Sequence, residues 1–539
     1  MKLIAKPNYW GTSIAFLSII IFFPIVALVG VSFGDSDGIW EHLFQTVLLR
    51  YIVTTTSLMG GVVILALLFG ITTAWIVTNY DFPTKNLIDF ILILPASCPA
   101  YLVAYAYTDF FEYAGPLQVG LRSITGWETA SEYYFPEIRS VGGAIFVLAS
   151  VLYPYIYLLA RTAFLNTPES LIEVTSIYGK SKFWNVSLPL GRPAIMAGVA
   201  LVSMEVVSDF GTVEYFSIQT LTLGIFNVWI GMNNLTAASQ ISLFTFLFIF
   251  VLLITEIKSR SNRRFNDTSR RQRNPKTQKV STKKCLVLIA ICLIPVLCGF
   301  FIPVMILIGN VGAFFKMSDL SEIFLILRNT VFVCLIGAII IVAVSTFLAT
   351  VAFAHGNIIL QRLANIAASG YAFPGTMLAI GVLISAGLVD KLIAYLFSFD
   401  FIFFEPTYIS GTLTVLIFAY LVRYLAVGYG ATMSGLTRVS PNLSWASRTL
   451  SNKFSTTVMK VSIPLIKKSI VAGGLLAFVD IAKELPMTLL LRPFNFETLA
   501  TYTYQFAHDE LMDQASLPAL IIIMFGLLPV ILLNKLLRN

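Results

Sequence analysis

Four acidic residues stand inside stretches that are otherwise apolar: Glu205, Asp209, Asp480 and Glu484. Asp209 precedes Gly211 by two positions and Glu484 precedes Pro486 by two, so both helices should weaken there. An ionisable side chain within a membrane span is costly and marks a functional site by default. Carboxylate oxygens suit hard cations, and the C-terminal end of a helix is electronegative. The four acids therefore form a candidate translocation pathway for a cation.

The same acids also have a structural interpretation, which residue types alone leave open. They could cap helix ends or pair with nearby cations such as Lys483 or Arg492, and so hold a broken helix in place. The sequence contains no zinc-site or catalytic-triad spacing, and its histidines, His42, His355 and His508, are scattered. No catalytic residue is predicted, and no metal ligands are assigned.

The elements that must position these acids are membrane helices. Hydrophobic residues make up 57% of the 539-residue chain and charged residues 12%, about half the charged share of a soluble domain. About 20 apolar residues cross the hydrocarbon core. The apolar blocks predict about twelve spans in the lipid bilayer, near residues 10–32, 52–79, 88–111, 140–161, 194–211, 238–257, 285–310, 328–354, 364–388, 409–432, 469–486 and 515–534. The chain is predicted to be an all-α integral membrane protein and not a soluble enzyme.

The net charge of +8 is concentrated in residues 258–284, where lysines and arginines far outnumber the single acidic residue, Asp267. A dense basic run can bind nucleic acid, but between apolar spans it is typical of a cytoplasmic loop. We therefore expect no nucleic-acid partner. Because six predicted spans precede this loop and six follow it, we also expect both termini to be cytoplasmic. The predicted outer loops 112–139 and 493–514 contain few or no lysines and arginines.

The two halves of the chain resemble each other at an offset of 275 positions. Ser187-Leu188-Pro189-Leu190 returns as Ser462-Ile463-Pro464-Leu465, and Asp209 returns as Glu484. This similarity predicts a first repeat over 1–257, a linker over 258–284 and a second repeat over 285–539. An even number of spans in each half predicts two parallel six-helix repeats, with the pathway between them.

A short cytoplasmic helix is predicted between the fourth and fifth spans of each half. The first loop, near 166–193, opens with Thr167 as N-cap, Pro168 at the first helical position and Glu169 in the first turn, and should stop near Gly179. The second, near 434–468, opens with Ser440-Pro441 and has Asn452 as a possible cap. Such a helix could couple the membrane protein to a soluble motor, or it could lie at the membrane surface without a partner.

Two transporter classes fit twelve spans with a basic central loop. Secondary transporters of the major-facilitator type carry a charged signature between the second and third spans, which neither half shows. The long inner segments instead fall between the fourth and fifth spans of each half, which favours a fused permease of an ATP-driven importer.

These loops resemble the motif of binding-protein-dependent ABC importer permeases, in which Glu-Ala-Ala precedes a glycine and, later, Leu/Ile-Pro. The first loop matches with Glu173, Gly179 and Leu188-Pro189, although its last stretch is short. The second keeps Ile463-Pro464 but has Ala446 within a degenerate motif and Ser451 in place of the glycine. The blocks Asp209–Phe216 and Lys483–Phe496 look like those of the ferric-iron subfamily.

The resemblance covers nearly the whole chain except the linker, and it implies a type I ABC importer permease fold. It implies a multi-pass protein of the bacterial inner membrane that works with two copies of a cytoplasmic ABC ATPase and a periplasmic substrate-binding protein. ATP would be used by that ATPase, with no cofactor on this chain. The implied ATPase-coupling residues are Glu173, Gly179, Pro189, Ala446, Ser451 and Pro464. The implied substrate is ferric iron, with thiamine, phosphonate or sulfate as alternatives.

Overall fold

The computed structural model describes residues 9–261, 278–314, 320–355, 357–396, 408–440, 443, 447 and 454–538. The described residues are almost entirely helical. The one strand pair joins β1 (Tyr80–Asp81) to β2 (Gln278–Lys279) in parallel. The prediction of an all-α membrane protein is thus confirmed.

The first half contains twelve α-helices, and single 3₁₀ or π turns connect several of them. The helices are α1 Tyr9–Ser32, α2 Ile39–Thr46, α3 Leu48–Asn79, α4 Lys85–Ile91, α5 Ala100–Phe111, α6 Pro116–Thr125, α7 Val141–Leu165, α8 Glu169–Ile177, α9 Leu188–Ser208, α10 Gly211–Tyr215, α11 Leu221–Phe226 and α12 Leu235–Ser261. The 3₁₀ turns are Leu94–Ser97 and Ala130–Glu132, and the π turns are Phe183–Ser187 and Asn227–Gly231.

The described part of the second half repeats this succession of long and short helices. The helices are α13 Thr282–Val296, α14 Ile302–Phe314, α15 Leu320–His355, α16 Ile358–Ala367, α17 Gly375–Leu396, α18 Leu413–Arg438, α19 Phe454–Thr457, α20 Ile463–Ala482, α21 Pro486–Leu491, α22 Leu499–His508 and α23 Met512–Arg538. A 3₁₀ turn covers Gly370–Ala372, and π turns cover Leu297–Phe301 and Val458–Ser462.

Among the described residues, nine helices are long and apolar enough to cross a membrane, or ten if one bent pair counts as a single span. The bent pair, Lys85–Ser97 with Ala100–Thr125, turns by 88° where the sequence predicted one continuous span over 88–111. Pro99 begins the second arm and cannot donate a helical hydrogen bond. The two remaining predicted spans correspond to α12 and α20, so the count of twelve is not confirmed.

The internal repeat is visible in the local structure at the predicted offset. The π turn Phe183–Ser187 leads into α9, and the π turn Val458–Ser462 leads into α20. Pro189 and Pro464 each stand in the first turn of the helix that follows, where a missing N–H costs no helical bond. The two halves therefore share backbone features as well as residues.

The chain forms two compact units, and neither coincides with a sequence half. The first unit contains the described residues within Met1–Trp40, Ile225–Leu243 and Lys316–Tyr504. The second contains the described residues within Glu41–Gly224, Phe244–Phe315 and Gln505–Asn539. The division at 257 and 285 stays a prediction about the sequence repeat and does not describe the packing units.

Each unit is built on three helices that occupy equivalent positions in the repeat. In the second unit α3 packs on α7 and α7 on α9; in the first unit α15 packs on α18 and α18 on α20. Small residues let these helices approach closely. A Cβ added to Gly198 would lie 2.9 Å from the Cα of Ile156, and one added to Gly473 would lie 2.9 Å from the Cβ of Ala431.

The first membrane span of each half, formed by α1 in one half and by α13 and α14 in the other, packs in the unit that holds the core of the other half. Helix α1 contacts α16 and α17, where Gly381 makes room for the backbone of Pro24. Helix α14 contacts α5 and α23. Hydropathy cannot predict this exchange, because an apolar helix is equally well buried against either core.

Candidate functional site

The first helix break lies at Asp209, which ends α9 in an extended conformation. The Thr212 hydroxyl donates to Oδ1 of Asp209 at 3.1 Å, and the Val213 N–H donates to Oδ2 at 3.2 Å. The carboxylate therefore caps the start of α10, and its side chain is half-buried.

The second break lies at Glu484, between α20 and α21, and the predicted weakening of both helices at equivalent positions is confirmed. The Met487 N–H donates to Oε1 of Glu484 at 3.1 Å, and the Tyr424 hydroxyl donates to Oε2 at 2.5 Å. Arg423 Nη1 lies 3.5 Å from Oε1. Glu484 is 5% exposed, so it is a buried acid with both a cationic partner and a hydroxyl partner.

The other two acids lie one turn earlier on their helices. Asp480 pairs with Lys483 at 2.9 Å, as the structural interpretation of the sequence suggested. Arg492, the other suggested partner, pairs instead with Glu497. Glu205 is partly buried in α9. The structure thus places each acid within or next to the helix that ends at its break.

The predicted electrostatic environment of Asp209 and Glu484 is only partly correct. Each follows the C-terminal, electronegative end of a long helix, as predicted. Each also accepts an N–H from the start of the following short helix, α10 or α21. The carboxylates are therefore partly neutralised by backbone donors, and the negative helix ends alone do not describe the local field.

The predicted coupling helix of the first half is present as α8. Its start differs by one residue from the prediction, because Pro168 occupies the N-cap position and no side chain caps the helix. The hydroxyl of Thr167 instead donates to the carbonyl of Ala163 in α7, at 3.3 Å. Glu169 stands in the first turn as predicted.

The end of α8 has the predicted left-handed glycine. Gly179 has φ +62°, and the Lys180 N–H donates to the Thr175 carbonyl at 3.0 Å while the Gly179 N–H donates to the Ser176 carbonyl at 3.2 Å. This pair of bonds is a Schellman motif, which satisfies the last carbonyls of the helix. The sequence thus correctly predicted where α8 stops.

Helix α8 buries none of its residues within this chain. Three apolar side chains on it and that of its C-cap residue are exposed: Leu171 by 43%, Val174 by 49%, Ile177 by 82% and the C-cap Tyr178 by 74%. We refer to these four residues as the α8 surface. Glu173 is exposed on the same helix. Grouped apolar exposure on a membrane protein's polar loop is typical of a protein-binding surface.

The coupling loop of the second half is described only in part. Ala446, Ser451 and the proposed cap Asn452 lie outside the described residues. Ser447 is described, and its hydroxyl lies 3.0 Å from that of Thr457. The prediction of a second coupling helix stays a prediction.

Arg423 is a charged residue within a span that was not among the predicted site residues. It lies within α18, and its guanidinium contacts Glu484, the acid that ends α20. The signal was available, because an arginine inside the apolar stretch 409–432 is as unusual as an acid there. What the sequence does not show is that Arg423 and Glu484 meet.

Comparison with known proteins gives the class of the chain. Residues 66–265 match the family described as binding-protein-dependent transport system inner membrane component. The chain is 23% identical to the Fe(3+)-transport system permease protein FbpB 2 of Haemophilus influenzae, over 98% of this chain and 99% of that protein.

Other relatives match only about a third to two fifths of the chain. The sulfate transport system permease protein CysW of Escherichia coli is 26% identical over 40% of this chain and 74% of its own length. The molybdate/tungstate transport system permease protein WtpB of Methanocaldococcus jannaschii is 27% identical over 32% of this chain and 65% of its own length. Residues 66–265 thus match a permease family, and the same local structure returns in the second half; together these findings support a transmembrane permease of a binding-protein-dependent importer.

Proposed function

We propose that this chain is the membrane permease of an ATP-driven importer that takes up ferric iron from a periplasmic binding protein. The observation that carries the substrate is the similarity to an Fe(3+)-transport permease over 98% of the chain. The sulfate and molybdate relatives match 40% and 32% of it. Sulfate, thiamine and phosphonate remain the alternatives, since related permeases share this architecture.

The acids at the helix breaks support a cationic substrate. Ferric ion is a hard cation that prefers oxygen ligands, and Asp209 presents a half-buried carboxylate at a break. We propose Glu205, Asp209, Asp480 and Glu484 as the candidate pathway residues. Asp209 and Glu484 also accept hydrogen bonds from the segment after each break, so the effect of a change at either acid has to be compared with protein abundance.

The motor is proposed to be two copies of a cytoplasmic ABC ATPase. The α8 surface supports this, because a short helix with defined ends and an exposed apolar face suits a cleft on a soluble partner. Glu173 and Gly179 would position this helix in the first half, and Pro189 would begin the span that follows it. Ala446, Ser451 and Pro464 are the proposed counterparts in the second half.

We propose that both termini are cytoplasmic because of the basic linker, and two contacts support the way the predicted loops are grouped on the two sides of the membrane. Strand β1, in a predicted inner loop, pairs with β2 at the end of the basic linker. Arg139 is the last residue of the predicted outer loop 112–139. Its Nε lies 2.6 Å from Oε1 of Glu112, and its Nη2 lies 3.2 Å from Oε1 of Glu510 in the other predicted outer loop. Each pair joins segments that the topology assigns to one side.

The test is uptake of labelled ferric iron, thiamine and sulfate by host cells with and without this chain. We expect the loss of the chain to abolish iron uptake and to leave the other two unchanged. Iron uptake should survive an uncoupler of the proton gradient and fail when cellular ATP is depleted. Loss of sulfate or thiamine uptake alone would refute iron as the substrate, and uptake driven by the proton gradient would refute the importer class in favour of a secondary transporter.

A further inference from the structure

The two helix breaks differ in charge. At the second break, Glu484 is 5% exposed and the side chain of Arg423 is 12% exposed, with Nη1 of the arginine 3.5 Å from Oε1 of the glutamate. The Tyr424 hydroxyl donates to the other oxygen at 2.5 Å. The carboxylate thus has a cation on one oxygen and a hydroxyl donor on the other.

A buried pair of this kind is sensitive to the loss of one member. Removing either charge leaves the other without compensation in a poorly solvated place, whereas removing both together is often tolerated. Arg423 lies within α18, one of the helices long and apolar enough to cross the membrane. An arginine there requires a partner, and Glu484 supplies it.

The first half lacks this arrangement at every corresponding position. The repeat offset of 275 places Arg423 opposite Leu148, and counting back from Pro441 and Pro168 places it opposite Ser150, so neither alignment gives a basic residue. By the second alignment Tyr424 corresponds to Val151. Ser150 donates its hydroxyl to the carbonyl of Phe146 in its own helix, at 2.7 Å. By that alignment the first half therefore has a serine and a valine at the positions where the second half has Arg423 and Tyr424, the two side chains that contact Glu484.

A third difference between the halves makes room for the pair. Gly375, at the start of α17, corresponds to Ala100 at the start of α5. A Cβ added to Gly375 would press on Arg423 Nη1 and would lie 3.1 Å from Oε1 of Glu484. A methyl group here would have to displace the Arg423 guanidinium from its place beside Glu484, whereas the first half accommodates one at Ala100.

The acid at the first break is set differently. Asp209 accepts from the Thr212 hydroxyl and the Val213 N–H, which are both uncharged groups. Among the residues that the structure describes, none of the ion pairs includes Asp209. Asp209 as a whole residue is partly exposed, whereas Glu484 is 5% exposed.

We propose that Arg423 is a positioning residue that neutralises Glu484, so that, of the two acids at the helix breaks, Asp209 and not Glu484 provides the charge that acts on the cation. The transport part of this inference rests on the proposed import of iron; the ion pair itself does not. The two halves would then have different tasks at equivalent positions: the second holds the broken helix, and the first presents the carboxylate.

The ion pair is tested first through membrane abundance, which needs no substrate. Arg423→Gln and Glu484→Gln should each lower abundance roughly fivefold, and the double variant should restore it to near the unmodified level. Arg423→Lys keeps the charge and should keep the abundance. Lys483→Gln is the matched control, because this lysine is adjacent in sequence but its pair with Asp480 is more exposed. Additive losses in the double variant would overturn the proposed pair.

The division of tasks is tested through iron uptake per molecule in the membrane. Asp209→Asn should lower the iron uptake per molecule about tenfold. A lining of opposite charge raises the rate at which an ion arrives by about tenfold or more, and the variant would lose this gain. The Arg423→Gln/Glu484→Gln double variant should stay well above Asp209→Asn. A Glu484→Gln variant of normal abundance with uptake as low as that of Asp209→Asn would overturn the inference, since Glu484 would then act through its own charge. If the unmodified chain imports no iron, the proposed function fails, and the abundance series still decides the ion pair.

Discussion

The hydroxyl of Thr330 accepts a hydrogen bond from the backbone N–H of Leu499 at 2.8 Å, and both residues are buried. The first half makes the same bond with different residues, because the Thr55 hydroxyl accepts from the Leu221 N–H at 3.0 Å. Thr330 follows Thr55 at the offset of the repeat. In each half, a threonine on a long helix fixes the start of the second helix after the break, α11 or α22.

Replacing either threonine by valine should destabilise the protein. Valine has a similar shape but leaves a buried N–H without an acceptor, which costs about 1–3 kcal/mol. We expect Thr55→Val and Thr330→Val to lower the thermal unfolding midpoint of the protein in detergent. Thr55→Ser and Thr330→Ser keep the hydroxyl and should stay closer to the unmodified midpoint. A midpoint unchanged in both valine variants would contradict this role.

The two coupling loops should differ in their sensitivity to charge. Glu173 matches the family motif on an exposed helix with a confirmed C-terminal stop, while the second loop lacks the corresponding Glu and Gly. Glu173→Lys should weaken ATPase co-purification about tenfold, equivalent to about 1.4 kcal/mol of binding free energy, and should reduce transport with it. Ser447→Lys is the matched change in the second loop and should cost less. An equal loss from both would remove the asymmetry.

The orientation can be checked by thiol labelling from outside intact cells. Cysteines introduced at Ser269, in the basic linker, and at Asn233, in an exposed turn, should react oppositely with an impermeant reagent. We expect only Asn233→Cys to be labelled, because the basic linker should be retained in the cytoplasm. Permeabilised cells provide the control, since both positions should then react. Labelling of both cysteines in intact cells would refute the proposed topology.

Gly375 and Ala100 offer a test of the difference between the halves that does not remove a charge. Gly375→Ala should lower the thermal unfolding midpoint by the equivalent of about 1–3 kcal/mol, as overpacking does, because the methyl group would press on Arg423 and Glu484. The reciprocal change Ala100→Gly adds no atom and should cost about 1 kcal/mol or less. The two unfolding midpoints, measured side by side, check this. If Gly375→Ala proves as mild as Ala100→Gly, the close approach of the pair to α17 is not limiting.

Much of the local structure was predictable because each feature depends on neighbouring residues. Gly179 predicted the end of α8, since only a left-handed residue completes that cap. The repeat predicted that α9 and α20 would break at equivalent acids, and both do. The first turn of α8 was wrong by one residue, because the Thr167 hydroxyl bonds back to α7 instead of capping forward.

The sequence by itself determined that the chain is a helical membrane protein, that its halves resemble each other, and that α8 stops at Gly179 and α9 and α20 break at equivalent acids. Burial of apolar blocks in lipid and the requirement to satisfy backbone groups are local demands that residue order expresses directly. Only the tertiary structure decided that α1 packs with α16 and α17, that the third predicted span bends by 88°, and that Arg423 meets Glu484. Those outcomes depend on which side chains face each other across separate helices, and the energy of such a contact belongs to the pair and to neither residue alone.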